Sequence, residues 1–129
     1  MANELRYGAQ IHLQNGYNGW QGGYLDTNGH ATNEQKNSGA KYDVSTSQTR
    51  DRAQGTGRWR IFARTSSPAD QNVRIGDVVH LWNLYGDNGG FLETNNTSAL
   101  TNAKYDLCTN AYYNRSSDVA DWKIHQAQG

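Results

Sequence analysis

Apolar residues recur at every second position in short stretches of this chain, the pattern of half-buried strands whose side chains alternate between two faces. Ile11 and Leu13 share one face with His12 on the other, and Val79 and Leu81 repeat that arrangement around His80. Tyr42 with Val44 and Tyr105 with Leu107 mark a second pair of stretches. Trp59 with Ile61 and Trp122 with Ile124 mark a third. These side chains are the predicted core. No long stretch carries the period of an amphipathic helix.

The stretches come in the same order twice. The segment from Leu5 to Asn15 matches that from Val73 to Asn83, Gly23 to Thr27 matches Gly90 to Thr94, Lys41 to Thr46 matches Lys104 to Thr109, and Trp59 to Ile61 matches Trp122 to Ile124. Length differences fall in Gly- and Asn-rich segments, where loops absorb insertions that strands do not tolerate. The two copies meet at Thr65-Ser66-Ser67-Pro68-Ala69-Asp70, which holds the only proline. The expectation is an all-β fold in one domain, residues 1–129, built from tandem four-stranded repeats over 4–67 and 68–129. Gly8 and Gly76, and Gly22-Gly23 and Gly89-Gly90, stand where a turn needs positive φ or a bulge.

The run Gly76-Asp77-Val78-Val79-His80-Leu81, followed by Gly89-Gly90-Phe91-Leu92-Glu93-Thr94 and closed by Trp122-Lys123-Ile124, resembles the repeat unit of β-trefoil domains of the MIR and fascin-like kinds. The resemblance implies a binding module without catalysis. Trefoils have three lobes, and only two are found here. Either two enlarged lobes close a pseudo-twofold barrel or sandwich, or two chains associate. A two-lobe half-barrel leaves strand edges open, and open edges invite pairing, so a homodimer is expected. The Gln-x-Trp signature of ricin-type lectins is absent around Trp59 and Trp122, so no sugar-binding residues carry over from them.

Composition narrows the function classes. Of 129 residues, 35% are hydrophobic, with 14 Gly, 8 Tyr and 4 Trp, a profile of short strands and polar turns. Twelve basic residues balance twelve acidic ones, so no field draws in nucleic acid or an anionic membrane. No apolar run approaches the roughly 20 residues that span a bilayer, and the start of the chain has no signal segment. A cytoplasmic location is therefore expected, with secretion by another route left open. Cys108 is the only cysteine, which excludes an intrachain disulfide and a cysteine-built zinc site. No metal and no cofactor is expected.

Aromatic and amide side chains gather in the turn Asn15-Gly16-Tyr17-Asn18-Gly19-Trp20-Gln21-Gly22 and in its counterpart Asn83-Leu84-Tyr85-Gly86-Asp87-Asn88-Gly89. A sugar presents an apolar face and a rim of hydroxyls, so its site needs an aromatic platform beside planar amides and carboxylates. The candidate ligand-binding residues are Asn15, Tyr17, Trp20, Asp26, Asn28 and His30 in the first copy. In the second they are Trp82, Asn83, Tyr85, Asp87, Glu93 and Asn95. Trp82 is the better platform, because alternation turns it away from Val79 and Leu81, whereas Trp20 is as readily a cap folded back on its own lobe. His12 and His80 read as outward strand histidines donating to loop carbonyls, and the arginines around Asp51 as a solvated loop.

No P-loop, nucleophile elbow or paired-histidine helix occurs. The leading expectation is a non-enzymatic lectin with one sugar site per repeat, its partners glycans or glycoproteins. The alternative is a protein-interaction or scaffold module using the same aromatic surface. An enzyme ranks third.

Overall fold

The computed structural model describes residues 4–65 and 68–126. Eight strands form where alternation places them: β1 (Gln10–Ile11), β2 (Tyr24–His30), β3 (Ala40–Ser47), β4 (Trp59–Ala63), β5 (Val78–Asn83), β6 (Gly90–Thr97), β7 (Tyr105–Asn110) and β8 (Trp122–Lys123). All the pairings are antiparallel. They run in one sheet of order β1-β4-β5-β6-β7-β3-β2, with β8 also paired to β5. The sheet is all-β and curls into a half-barrel. It crosses between the copies twice, through β4 with β5 and through β3 with β7, so the copies share one sheet instead of forming two separate four-stranded ones.

Corresponding residues make corresponding bonds in the two halves. The Trp59 indole donates to the Leu25 carbonyl at 2.9 Å, and the Trp122 indole to that of Leu92 at 3.0 Å. Gly8 and Gly76, at φ 89° and 92°, donate their N–H to Ile61 and Ile124, each at 2.7 Å. His12 Nδ1 meets the Gly57 carbonyl at 2.9 Å and His80 Nδ1 that of Ala120 at 3.0 Å. A carbonyl only accepts, so each Nδ1 carries the proton.

The fully buried core is Trp59, Ile61, Val79, Leu81 and Leu92, with Ile11, Leu25, Val44, Leu107, Trp122 and Ile124 packed around it. Three expected core residues stand elsewhere, and one of them, Leu13, is 37% exposed. Tyr105 is 59% exposed, and Tyr42 lies half-buried against His30 with ring centroids 5.7 Å apart. The two tyrosines sit beside register shifts, in β3 between Ala40 and Asp43 and in the β6–β7 pairing between Thr94 and Thr97, and such shifts re-aim side chains at a hairpin end.

A helical turn at Asn33–Lys36 interrupts the first hairpin region. It is closed by a capping box in which Thr32 Oγ1 accepts from Gln35 N–H and Gln35 Oε1 accepts from Thr32 N–H. The buried Gln35 amide then donates to the Asn95 carbonyl at 3.0 Å, tying the first half to the second.

Candidate interaction surface

The acidic and amide residues expected to hold a ligand fall into two groups. Asp26, Asn83 and Glu93 have no exposed surface and Asn95 has 6%, and all four bond inside the protein. Glu93 accepts from Arg115 Nε at 3.0 and 3.1 Å, from the Asn95 amide at 2.8 Å and from the Asn110 amide at 3.2 Å. Asp26 accepts from Arg52 Nε at 3.1 Å. Each arginine reaches past its carboxylate to a strand carbonyl, Arg52 to Thr27 and Arg115 to Thr94. This corrects the sequence expectation for these four residues: polar groups buried at 0–6% exposure and bonded inside the protein are not presented to a ligand. It also adds to the solvated-loop reading of the arginines: Arg50, Arg52 and Arg58 are exposed, but Arg52 has its guanidinium tied inward to Asp26. An acid and an arginine recur at matching places in both copies, and that coincidence is the signal that could have revealed the pairs.

The aromatic residues also divide. Trp82 is half-buried, its ring meeting Phe91 edge to face at 4.6 Å, and Phe91 in turn meets His80 and Tyr113. Phe91 is the cross-strand neighbour of Trp82 on the same face of the sheet, so Trp82 is not the open platform that alternation suggested. Trp20 is 64% exposed and Tyr17 77%. The first-copy turn holds three successive residues in left-handed backbone: Asn18 at φ 54°, Gly19 at 68° and Trp20 at 69°. L-residues enter that region singly and at a cost, least for Gly and Asn, so the strain falls on Trp20. Asn15 Oδ1 anchors the turn by accepting the Tyr17 N–H at 3.0 Å, and Gln14 ties its far side by donating to the Trp20 carbonyl at 3.0 Å. Beside it lies an open depression of about 430 Å³ lined by Trp20, Tyr24, Gln14, Gln21 and Gln48. The three glutamines were not among the expected site residues.

Asn28, His30 and Asp87 are exposed. Tyr85 stands edge-on to Tyr42 at 5.4 Å and closes a cleft of about 130 Å³ over Thr27, Gly29 and Arg52. The second half has the matching cleft over Thr94, Asn96 and Arg115 beneath Tyr105. No tyrosine closes it, and it measures about 350 Å³.

Two titratable groups shape the chemistry on offer. Cys108 has no exposed surface, and burial first, then the neighbouring Glu93, pushes its thiol up to about 12, which favours the protonated form. His80 lines a polar cleft of about 450 Å³ with Arg64, Tyr113 and Asp121. There Asp121 pairs with Arg64 at 2.7 Å, while its oxygen stands 3.7 Å from His80 Nδ1. Among the described residues no cluster of three His, Cys, Asp or Glu could hold a metal ion, and no helix is long and apolar enough to cross a membrane.

No protein-family model matches the chain, and no curated protein does. Among solved structures, the fold is similar to that of the SDF2-like protein from Arabidopsis thaliana, with 16% identity and a TM-score of 0.61 over 93% of this chain. This chain covers 59% of that one. A protein of unknown function from Caenorhabditis elegans matches with 14% identity and a TM-score of 0.67 over 98% of this chain and 67% of that one. The likeness to MIR and fascin-like domains therefore stands at the level of a trefoil-type fold, and it does not extend to the number of repeats. The expected cytoplasmic location does not stand. It rested on the absence of a long apolar run and of a signal segment at the start of the sequence, neither of which places a protein, and the fold likeness to the SDF2-like protein gives it no support.

Proposed function

We propose that this chain is a non-catalytic interaction module that receives a protein partner on its exposed Tyr17–Trp20 turn. One observation carries the reading. An indole that is 64% exposed is held at φ 69°, a conformation that costs a residue with a Cβ about 1–2 kcal/mol and here returns little burial. Backbone strain of this kind persists where the side chain is wanted in that place. Tryptophan and tyrosine are also the side chains that most often anchor protein contacts, because they combine large apolar area with few rotatable bonds. No thiol or metal cluster in the described residues competes with this reading.

A glycan is the second reading, favoured by the depression beside Trp20. Tyr24 and the amides of Gln14, Gln21 and Gln48 there combine an aromatic wall with planar donors and acceptors. Trp20→Ala separates both readings from a structural role. Its exposed ring leaves the melting temperature nearly unchanged, while the affinity of a captured partner falls by about tenfold or more. Calorimetry against a broad glycan panel tests the second reading with the same variant. A partner or glycan bound equally well by wild type and Trp20→Ala would refute the assignment to this turn.

A further inference from the structure

The junction between the two halves is seen once inside the chain, and among the described residues both of the surfaces that form it occur again without the opposite turn or cleft docked on them; the second-half surface is met instead by Arg64, which pairs with Asp121 at 2.7 Å and with Asp118 at 3.7 Å. On the second half's side of the junction, the Asn83 amide donates to the carbonyls of Thr56 at 2.9 Å and Arg58 at 3.4 Å, and Tyr85 packs on Tyr42. Asn15 and Tyr17 stand in the matching places of the first half. Asn15 is held in the same way as Asn83: each side-chain Oδ1 accepts the N–H two residues on, and each lies over a glycine, Gly22 or Gly89, with no room for a Cβ. Yet Asn15 and Tyr17 are exposed, and among the described residues the Asn15 amide has no counterpart of the Asn83 bonds.

The opposite surface recurs as well. Val119 and Asp121 stand where Thr56 and Arg58 do, and the Val119 carbonyl accepts Thr94 N–H just as that of Thr56 accepts Thr27 N–H. Tyr105 stands where Tyr42 does, over the wider, unclosed cleft. The apolar residues follow the same rule. Val79, Leu81 and Leu92 are 2%, 8% and 4% exposed, while their first-half counterparts are less covered, Leu13 reaching 37%. Trp59 and Ile61 are buried, whereas Trp122 and Ile124 are only half-buried.

We infer that the partner of the Asn15–Tyr17 turn is a second copy of this chain. The turn of each copy docks on the Tyr105 cleft of the other, with the Asn15 amide donating to the Val119 and Asp121 carbonyls and Tyr17 closing the cleft as Tyr85 closes its own. Each copy offers both surfaces once, so two such contacts related by a twofold axis close the assembly at a dimer and cover the outer edges of β1 and β8. One residue loosens the fit. Gly55 approaches so closely that a Cβ there would stand 2.3 Å from the Leu84 carbonyl oxygen, and Asp118 occupies the matching place in the second half.

The inference names a partner for the turn described above and rests on its being a contact surface, but the two fail separately. Sedimentation equilibrium of the purified chain reads the outcome. The expected mass is twice the 14.4 kDa of one chain. Asn15→Asp, which turns the donor into an acceptor, and Tyr105→Ala, at an exposed ring, each raise the dissociation constant by about tenfold or more. Asp118→Gly lowers it by a similar factor, about tenfold, by removing the overpacked atoms. Circular dichroism confirms that all three variants are folded. A single-chain mass at every concentration, or a dimer that none of the three substitutions moves, overturns the inference. A monomer whose Trp20 still captures another protein overturns the dimer alone.

Discussion

Replacing Arg115 by Met leaves a carboxylate in the interior with its charge unanswered. Glu93 has no exposed surface, and of its donors only the neutral amides of Asn95 and Asn110 and the Cys108 thiol remain once the guanidinium is gone. Removing one partner of a buried ion pair costs about 3–5 kcal/mol, because the survivor's desolvation is no longer offset. That is a large part of the roughly 5–15 kcal/mol that holds a domain of this size together, and it lowers the melting temperature by on the order of 10 °C. The first half supplies the internal control. Asp26 is equally buried, but the Arg52 side chain is 41% exposed against 19% for Arg115, so water reaches that pair more easily and Arg52→Met costs less than Arg115→Met. Urea unfolding followed by tryptophan fluorescence measures both. Glu93→Gln added to Arg115→Met recovers part of the loss, since a neutral amide has less to lose. If Arg115→Met costs no more than Arg52→Met, or the second substitution makes matters worse, the account of Glu93 as a carboxylate held by that arginine is wrong.

Three further outcomes follow from particular contacts. Gly55→Ala, forced against the Leu84 carbonyl at φ 98°, costs on the order of 3 kcal/mol. Gly29→Ala, at φ 79° but in open space, costs about 1 kcal/mol, and thermal melts of the two variants show the gap. Cys108 is inert to a thiol reagent at about pH 8 in the native protein and reacts fully in denaturant; reaction of the folded protein at the denatured rate would contradict its burial. Tyr7 is pushed up to about 12 by burial first and by its hydrogen bond to Asp77 next. The folded state therefore favours the protonated phenol. Its contribution is complete below the ordinary tyrosine value of about 10 and is lost as pH rises through about 12. Unfolding of Tyr7→Phe across that range shows a flatter alkaline decline than wild type, and equal slopes would reject the assignment.

Much of the strand plan was legible because alternation and glycine punctuation are local. Trp59, Ile61, Val79 and Leu81 could be assigned to the interior from their neighbours alone. The site was less legible, because which face of a strand is covered depends on what lies across it. Trp82 points away from Val79 and Leu81 as its sequence implies, yet Phe91, a strand away, meets it there. Trp20 is left outside by a left-handed turn whose conformation an Asn-Gly pair permits but does not reveal. Asp26 and Glu93 resemble ligands in sequence because the same chemistry, a carboxylate among amides, serves both a binding site and an internal clasp. Only the position of Arg52 and Arg115 decides which.

The crossing of the sheet between halves has a consequence for synthesis. β4 finds its long partner only in β5, and β3 finds β7 still later in the chain. While the ribosome has delivered the first half alone, Trp59 and Ile61 meet β1, Leu25 and Val44 but lack Val79, Leu81 and Leu92, and the outer edge of β3 lacks β7. A pairing as distant along the chain as β3 with β7 forms slowly, and the nascent first half is the species most exposed to capture by chaperones or by its own neighbours.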